Sequence, residues 1–217
     1  MRTNPFHDAL LLLIGATEDF ATSGVRYLLV ALLWALILAS LYIAYRNWQD
    51  DPLQRTGEHV AIWSMRALIG VMWFEGSVWK LPLPVSPGFQ FWTEELSRYA
   101  AFEWHKWLAT NVFLPLIAVI NPLVYMTELA MAVSFLLGFL VRPMAAIGIL
   151  FVLHIWLGLY RHPNEWPWQY FFLAFVMGFF IVTKAGRSLG LDAILSRRPV
   201  GPFAGEGVIA RLYRRVA

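Results

Sequence analysis

Residues 66–80 read Arg66-Ala-Leu-Ile-Gly70-Val-Met-Trp-Phe74-Glu-Gly76-Ser-Val-Trp-Lys80. Between its basic ends the stretch is apolar except for Glu75 and Ser77. Extended back to Val60, it is about 20 residues long, which at about 1.5 Å rise per residue crosses a hydrocarbon core of about 30 Å. At about 100° per residue, Arg66, Gly70, Trp73, Ser77 and Lys80 share one helical face, and Glu75 lies nearly opposite Arg66. A long apolar helix that carries ionisable groups predicts a membrane span with a polar interior face.

The rest of the chain agrees. Of 217 residues, 59% are hydrophobic and 14% charged, against about 25% charged in soluble domains. The mean hydropathy is +0.58 and the pI near 9.3. The basic residues do not form a nucleic-acid patch; they sit at the ends of apolar stretches and in the tail, as Lys184, Arg187, Arg197, Arg198, Arg211, Arg214 and Arg215. That is how membrane proteins distribute lysine and arginine. No nucleic-acid partner is expected. The absence of cysteine excludes thiol–disulfide chemistry, cysteine-ligated iron–sulfur and C-x-x-C-H haem attachment.

Working outward, further spans are expected at Val25–Tyr45, within Asn111–Val141, at Pro143–Tyr160 and at Trp166–Thr183. In the third, Pro115 and Pro122 predict a kink or a late start near Asn121. Short turns at Arg142-Pro143 and 161–165 make the last three antiparallel neighbours. The apolar run Ala9–Ala16 is too short to span, and no clean cleavage site follows it; it reads as an interfacial or re-entrant lead-in. The chain is thus expected to be an all-α integral membrane protein. Residues 1–59 hold the lead-in, one span and an inner loop, 60–195 a four-helix core, and 196–217 a basic tail.

Placing that tail in the cytoplasm puts the Arg142 turn and the Arg46–Glu58 loop inside. The N-terminus and the Lys80–Thr110 loop then lie outside. Trp79, Trp92, Trp104, Trp107, Trp166 and Trp168 fall at the outer ends, where amphipathic rings favour the headgroup level. In the outer loop Thr93-Glu-Glu95 reads as a helix N-terminus. Trp92, Leu96, Tyr99 and Trp107 recur near helical spacing, which predicts an amphipathic helix on the outer surface. It would serve as a lid or as a docking site.

Chemistry is expected from ionisable groups inside the spans, which are costly in lipid and normally face the bundle interior. By helical rise from the inner surface, Glu75 lies at about 22 Å, Glu128 at about 21 Å, His154 at about 17 Å and Arg66 at about 9 Å. Lys80, further out, is therefore the better partner for a carboxylate than Arg66. A cluster of Glu75, Lys80, Tyr125, Glu128, Gln169 and Tyr170 is expected to open toward the outer leaflet, with His154 beneath it. Such a cluster suits a quinone headgroup. Paired carboxylates in low dielectric hold one proton between them, lysine, tyrosine and histidine donate to the carbonyls, and Trp73 can line the ring. The plainer reading is that Arg66, Glu75, Lys80 and Glu128 form ion pairs that fix helix packing.

Among His7, His59, His105, His154 and His162, only His154 is mid-membrane, and none of the others is a ready partner for it. Bis-histidine haem and a clustered metal site are therefore not expected. No nucleotide-binding motif is present.

The 66–80 stretch resembles the DoxX/DoxD family of small membrane proteins, whose first core helix carries Arg, Gly, Gly and Lys at this spacing. Glu128, Gly138 and Arg142 are similar to that family's second core helix and basic turn. Trp168, Tyr170 and Leu191-Asp192 are similar to its last helix and exit. The resemblance covers about residues 60–195. It implies a four-helix core and a link to membrane redox enzymes such as the membrane subunit of thiosulfate:quinone oxidoreductase. The expected function is a quinone-binding redox subunit in a bacterial or archaeal cytoplasmic membrane, with membrane or periplasmic protein subunits as partners. Glu75, Glu128 and Lys80 would be catalytic, and Arg66, Trp73, Tyr125, His154, Gln169 and Tyr170 would bind the cofactor. A non-catalytic accessory or scaffold subunit is the alternative. A transporter is weaker, because no inverted repeat with broken helices is visible.

Overall fold

The computed structural model describes residues 4–217. Among the described residues the chain is all helical: α1 Pro5–Leu13, α2 Glu18–Thr22, α3 Arg26–Asp50, α4 Gly57–Val78, α5 Pro87–Tyr99, α6 Glu103–Leu108, α7 Ile117–Leu137, α8 Val141–Gly158, α9 Trp168–Val182, α10 Leu191–Arg197 and α11 Val208–Val216. Three of these, α3, α7 and α8, are long and apolar enough to cross a membrane, and α9 is a shorter apolar helix. In their most apolar windows only 22%, 39% and 28% of residues are buried inside the protein. Leu68, Leu150 and Phe175 are each more than 70% exposed. Apolar surface on this scale is solvated by lipid far better than by water.

The chain divides into two compact units. Among the described residues, one comprises residues 4–34, Phe74–Leu129 and Leu150–Ala174; the other comprises Ala35–Trp73, Ala130–Ile149 and Phe175–Ala217. The divisions fall within α3, α4, α7, α8 and α9, so both units draw on the same five helices.

The second unit is organised around the turn from α7 to α8. Gly138 ends α7 with φ +69°. The N–H groups of Gly138 and Phe139 donate to the Ser134 carbonyl at 2.8 and 3.1 Å. This is a left-handed helix cap that glycine adopts without strain. The last carbonyls of a helix lack internal donors, and here Arg66 supplies them. Its guanidinium is fully buried. Nη1 donates to the carbonyls of Phe135 and Leu136, and Nη2 to that of Ser188 at 3.3 Å. A Cβ on Gly138 would meet the Arg66 guanidinium and the Gly190 Cα. On the other side of the turn Asp192 accepts the N–H groups of Leu140 at 3.0 Å and Val141 at 3.5 Å, the first donors of α8. Asp192 also accepts the Tyr213 hydroxyl at 2.7 Å. Burial pushes the Asp192 carboxyl above its ordinary value, against the pull of these donors and of Arg66.

The chain leaving α9 is tied down in the same way. Asn47 donates to the Gly190 carbonyl at 3.0 Å. Gln54 donates to the Arg187 carbonyl at 2.9 Å and accepts the Leu189 N–H at 2.7 Å. Gly70 lets α4 lie directly against the backbone of α7 at Ala132 and Leu136. The core here is Met131, Phe135, Leu136, Val141, Met177 and Phe180. The basic tail is not a free strand. It folds as α11, whose Tyr213 packs with Leu195, Phe139 and Phe203.

In the first unit Phe20, Leu33, Phe74 and Val78 are buried. The outer-loop helix begins earlier than the Thr93 start expected from sequence. Ser86 caps α5, accepting the Phe89 N–H at 3.1 Å, and Pro87 opens it. A serine followed by proline is a stronger start than Thr93, which is buried mid-helix and donates to the Phe89 carbonyl. The chain breaks at Ala100–Phe102 before α6, so the expected single amphipathic helix is two. The third apolar stretch begins its regular helix at Ile117, after a π-turn over Ala109–Phe113, and carries Pro122 inside it.

Arg66→Met is expected to lower stability by about 3 kcal/mol, because three carbonyls lose their donor and Asp192 loses its counter-charge. Gly138→Ala should cost at least about 1–2 kcal/mol from backbone strain alone. Thermal unfolding of the purified protein in detergent checks both.

Candidate functional site

The first unit holds the buried ion pair. Lys80 follows the end of α4, and Glu128 projects from the middle of α7. Lys80 Nζ lies 2.6 Å from Glu128 Oε2, with the side chains 3% and 5% exposed. Lys80 Nζ also donates to the Gly76 carbonyl at 2.6 Å and sits 3.8 Å from the centroid of the Trp79 ring. The ammonium therefore meets a carboxylate, a carbonyl and an aromatic face, which together replace its hydration.

Asn121 holds the lysine in place. Fully buried, it donates from Nδ2 to the carbonyls of Lys80 at 3.1 Å and Pro84 at 3.0 Å. The segment between those carbonyls has cis peptides at Leu81-Pro82 and Leu83-Pro84. Asp19 is close enough to Lys80 for the two charges to act on each other. Burial, then the neighbouring Glu18, pushes the Asp19 carboxyl up, and Lys80 pulls it down.

The other expected members separate. Glu75 is exposed, whereas Glu128 is buried, so the two carboxylates do not share one dry environment as expected. The helical period is the reason: Arg66, Trp73, Ser77 and Lys80 are buried, and Glu75 falls on the opposite face. Tyr125 is half-buried. Gln169 and Tyr170 both donate to Glu165 Oε2 at 2.8 Å. Arg66 and Trp73 belong to the second unit, where Arg66 is engaged by backbone carbonyls.

His154 has a partner after all. His105 Nε2 lies 2.9 Å from His154 Nδ1, correcting the expectation that no histidine could reach it. Depth counted along the spans misses this contact because α6 turns back against α8: the Ala101 N–H donates to the Leu157 carbonyl at 2.8 Å, and the Arg161 N–H to that of Tyr99 at 3.1 Å. A Cβ on Gly158 would strike Leu96 and His105, so the glycine admits the ring. Trp104 and Phe113 pack edge-on against the pair. Burial pushes the His105 imidazole below its ordinary value, opposed by its bond to His154. Nearby, Glu95 accepts from His162 and Arg98, each at 3.1 Å. Among the described residues no three histidines, cysteines or carboxylates gather as a metal site.

Sequence reasoning missed Asn121, Asp19 and His105. A buried asparagine beside a proline in an apolar helix is a usable signal for Asn121. The other two depend on how loops fold back, which no periodicity reports. Comparison with family models, with curated proteins and with solved structures finds no match, so the site rests on its own geometry.

Removing one partner of a buried pair leaves the other charge uncompensated. Lys80→Met or Glu128→Leu alone should therefore lower stability by about 3–5 kcal/mol, while the double substitution recovers most of it. Thermal melts of the three variants, analysed as a double-mutant cycle, give the coupling.

The depressed His105 value has a defined sign. Its contribution to stability is full above the ordinary value of 6.5 and is lost as pH falls below that toward the folded value, because the unfolded chain binds the proton first. Melting temperature should fall on acidification below about pH 6.5, and His105→Phe should flatten that dependence.

Proposed function

We propose that the chain is a quinone-binding subunit of a membrane redox complex, and that Lys80 and Glu128 form the polar end of the quinone slot. The observation that carries this reading is the Lys80–Glu128 pair itself, a buried lysine and carboxylate 2.6 Å apart at an apolar candidate span. Ionisable groups in such helices are costly and mark functional sites by default. The pair carries the chemistry the reaction needs: an ammonium to hydrogen-bond a quinone carbonyl, and a carboxylate to take up or release the proton that accompanies each electron. The donor, a small reductant of which a sulfur compound is the family's example, would lose electrons on a partner chain. The quinone would become quinol.

The resemblance of residues 66–80 to the DoxX/DoxD family points the same way, as does its recurrence at Glu128, Gly138 and Asp192. In this reading α4, α7, α8 and α9 are the four-helix core and α3 is an added span. The protein lies in a bacterial or archaeal cytoplasmic membrane, with α11 on the cytoplasmic side and the N-terminus outside. The partners are then membrane or periplasmic subunits that bring the reductant.

A second reading is an accessory subunit without catalysis. It is favoured by one observation: Lys80 Nζ already has Glu128 and the Gly76 carbonyl, which suffices for a tie between helices.

Organic extraction of the purified protein separates the two. Quinone should co-purify with the native chain and drop at least tenfold in Glu128→Gln and Lys80→Ala. Isolation only within a large complex, free of quinone and with turnover unaffected by either substitution, would establish the accessory role.

A further inference from the structure

Helix α11 has three faces, not two. It runs Val208-Ile-Ala-Arg-Leu-Tyr-Arg-Arg-Val216. At about 100° per residue, Val208, Leu212, Val216 and Ile209 fall within an arc of about 100°. Tyr213 and Ala210 occupy the next arc, of about 60°, and Arg214, Arg211 and Arg215 the remainder. The middle arc is the docked one. Ala210 and Tyr213 are buried, and Tyr213 is anchored by its hydroxyl to Asp192 at 2.7 Å. The apolar arc is left outside: Val208, Ile209 and Leu212 are each more than half exposed. The arginines are exposed as well. Among the described residues none of the three forms a salt bridge, whereas Arg197 and Arg198 nearby are paired with Asp51 and Asp50.

A docked face beside an open apolar face bordered by unneutralised arginines suits one environment. The apolar arc enters the acyl region of a bilayer while the cationic arc stays at headgroup level. From this we infer that α11 is an interfacial helix that binds anionic phospholipid, with Val208, Ile209, Leu212 and Val216 inserted among the chains and Arg211, Arg214 and Arg215 on the headgroup phosphates. Charge complementarity decides the occupant. A protein groove that merely covered the apolar arc would leave the three arginines at its rim without counter-charge, whereas an anionic leaflet meets both faces at once. Each arginine near such a surface contributes about 1 kcal/mol, or about fivefold in binding. The buried tyrosine ties α11 to the start of α8, since Asp192 also accepts the first N–H groups of that helix. The inference rests on the membrane reading of the chain and not on the quinone reading.

The absence of cysteine permits a direct test on the full chain. Leu212→Cys, labelled with a fluorophore, is reconstituted into vesicles of phosphatidylcholine alone or mixed with phosphatidylglycerol. In the mixed vesicles nitroxide on the acyl chains should quench the label and aqueous iodide should not. Replacing Arg211, Arg214 and Arg215 together by glutamine, a surface change that spares Ala210 and Tyr213, should restore iodide access and weaken retention of phosphatidylglycerol in native mass spectra about fivefold or more per arginine. Iodide access in both vesicles would overturn the inference. So would protection that is equal in phosphatidylcholine and indifferent to the arginines, whether from a second copy of the chain, another protein or uncharged lipid.

Discussion

A guanidinium with no access to water sits beneath the turn between α7 and α8, and the second unit depends on what it does there. Helix ends leave carbonyls and N–H groups without partners. In water this costs little; in an apolar medium each orphan costs kilocalories. Arg66 closes the carbonyl end of α7, and Asp192 closes the amide end of α8. One cation and one anion thus finish two helices that are joined by only three residues, Gly138, Phe139 and Leu140. The charges also balance each other, so neither is buried alone. Asn47, Gln54 and Tyr213 extend the same logic to the chain around them. Polar side chains here serve the backbone.

Lys80 and Glu128 face a different problem. Their ion pair joins side chain to side chain, and no helix end depends on Glu128. The ammonium is well surrounded, by carboxylate, carbonyl and indole. Asn121 fixes the lysine backbone, and Glu128 with the Gly76 carbonyl fixes the head of its side chain. A point charge held in an apolar setting beside a carboxylate is the feature on which the proposed quinone site rests.

Much of this was legible in the sequence, and the reasons are physical. The class followed from apolar runs of bilayer length, and the buried face of α4 from a period of 3.6. That period put Arg66, Trp73, Ser77 and Lys80 together and Glu75 opposite; the depth count then grouped Glu75 with Glu128, although depth says nothing of azimuth. Lys80 was preferred to Arg66 as a carboxylate's partner because rise per residue puts Arg66 much deeper. His105 was lost because the outer loop folds back, and the start of α5 was placed at Thr93 because two carboxylates follow it. The tail read as charge alone, since its apolar residues are too few to register in composition; only the helical arc of α11 sorts them.

The roles of the ionisable residues separate by what satisfies them. A buried charge whose donors or acceptors all end on backbone belongs to the architecture, and substituting it tests folding. Arg66 meets that criterion: its bonds run to Phe135, Leu136 and Ser188. A buried charge whose partner is another titratable side chain has a second state available, because the proton can move between them or onto a ligand at modest cost. Lys80 with Glu128 is of this kind. Lys80 also donates to the Gly76 carbonyl in the last turn of α4, so it serves a helix end as well. A helix end and a titratable partner therefore meet at Lys80, whereas Arg66 serves the backbone alone.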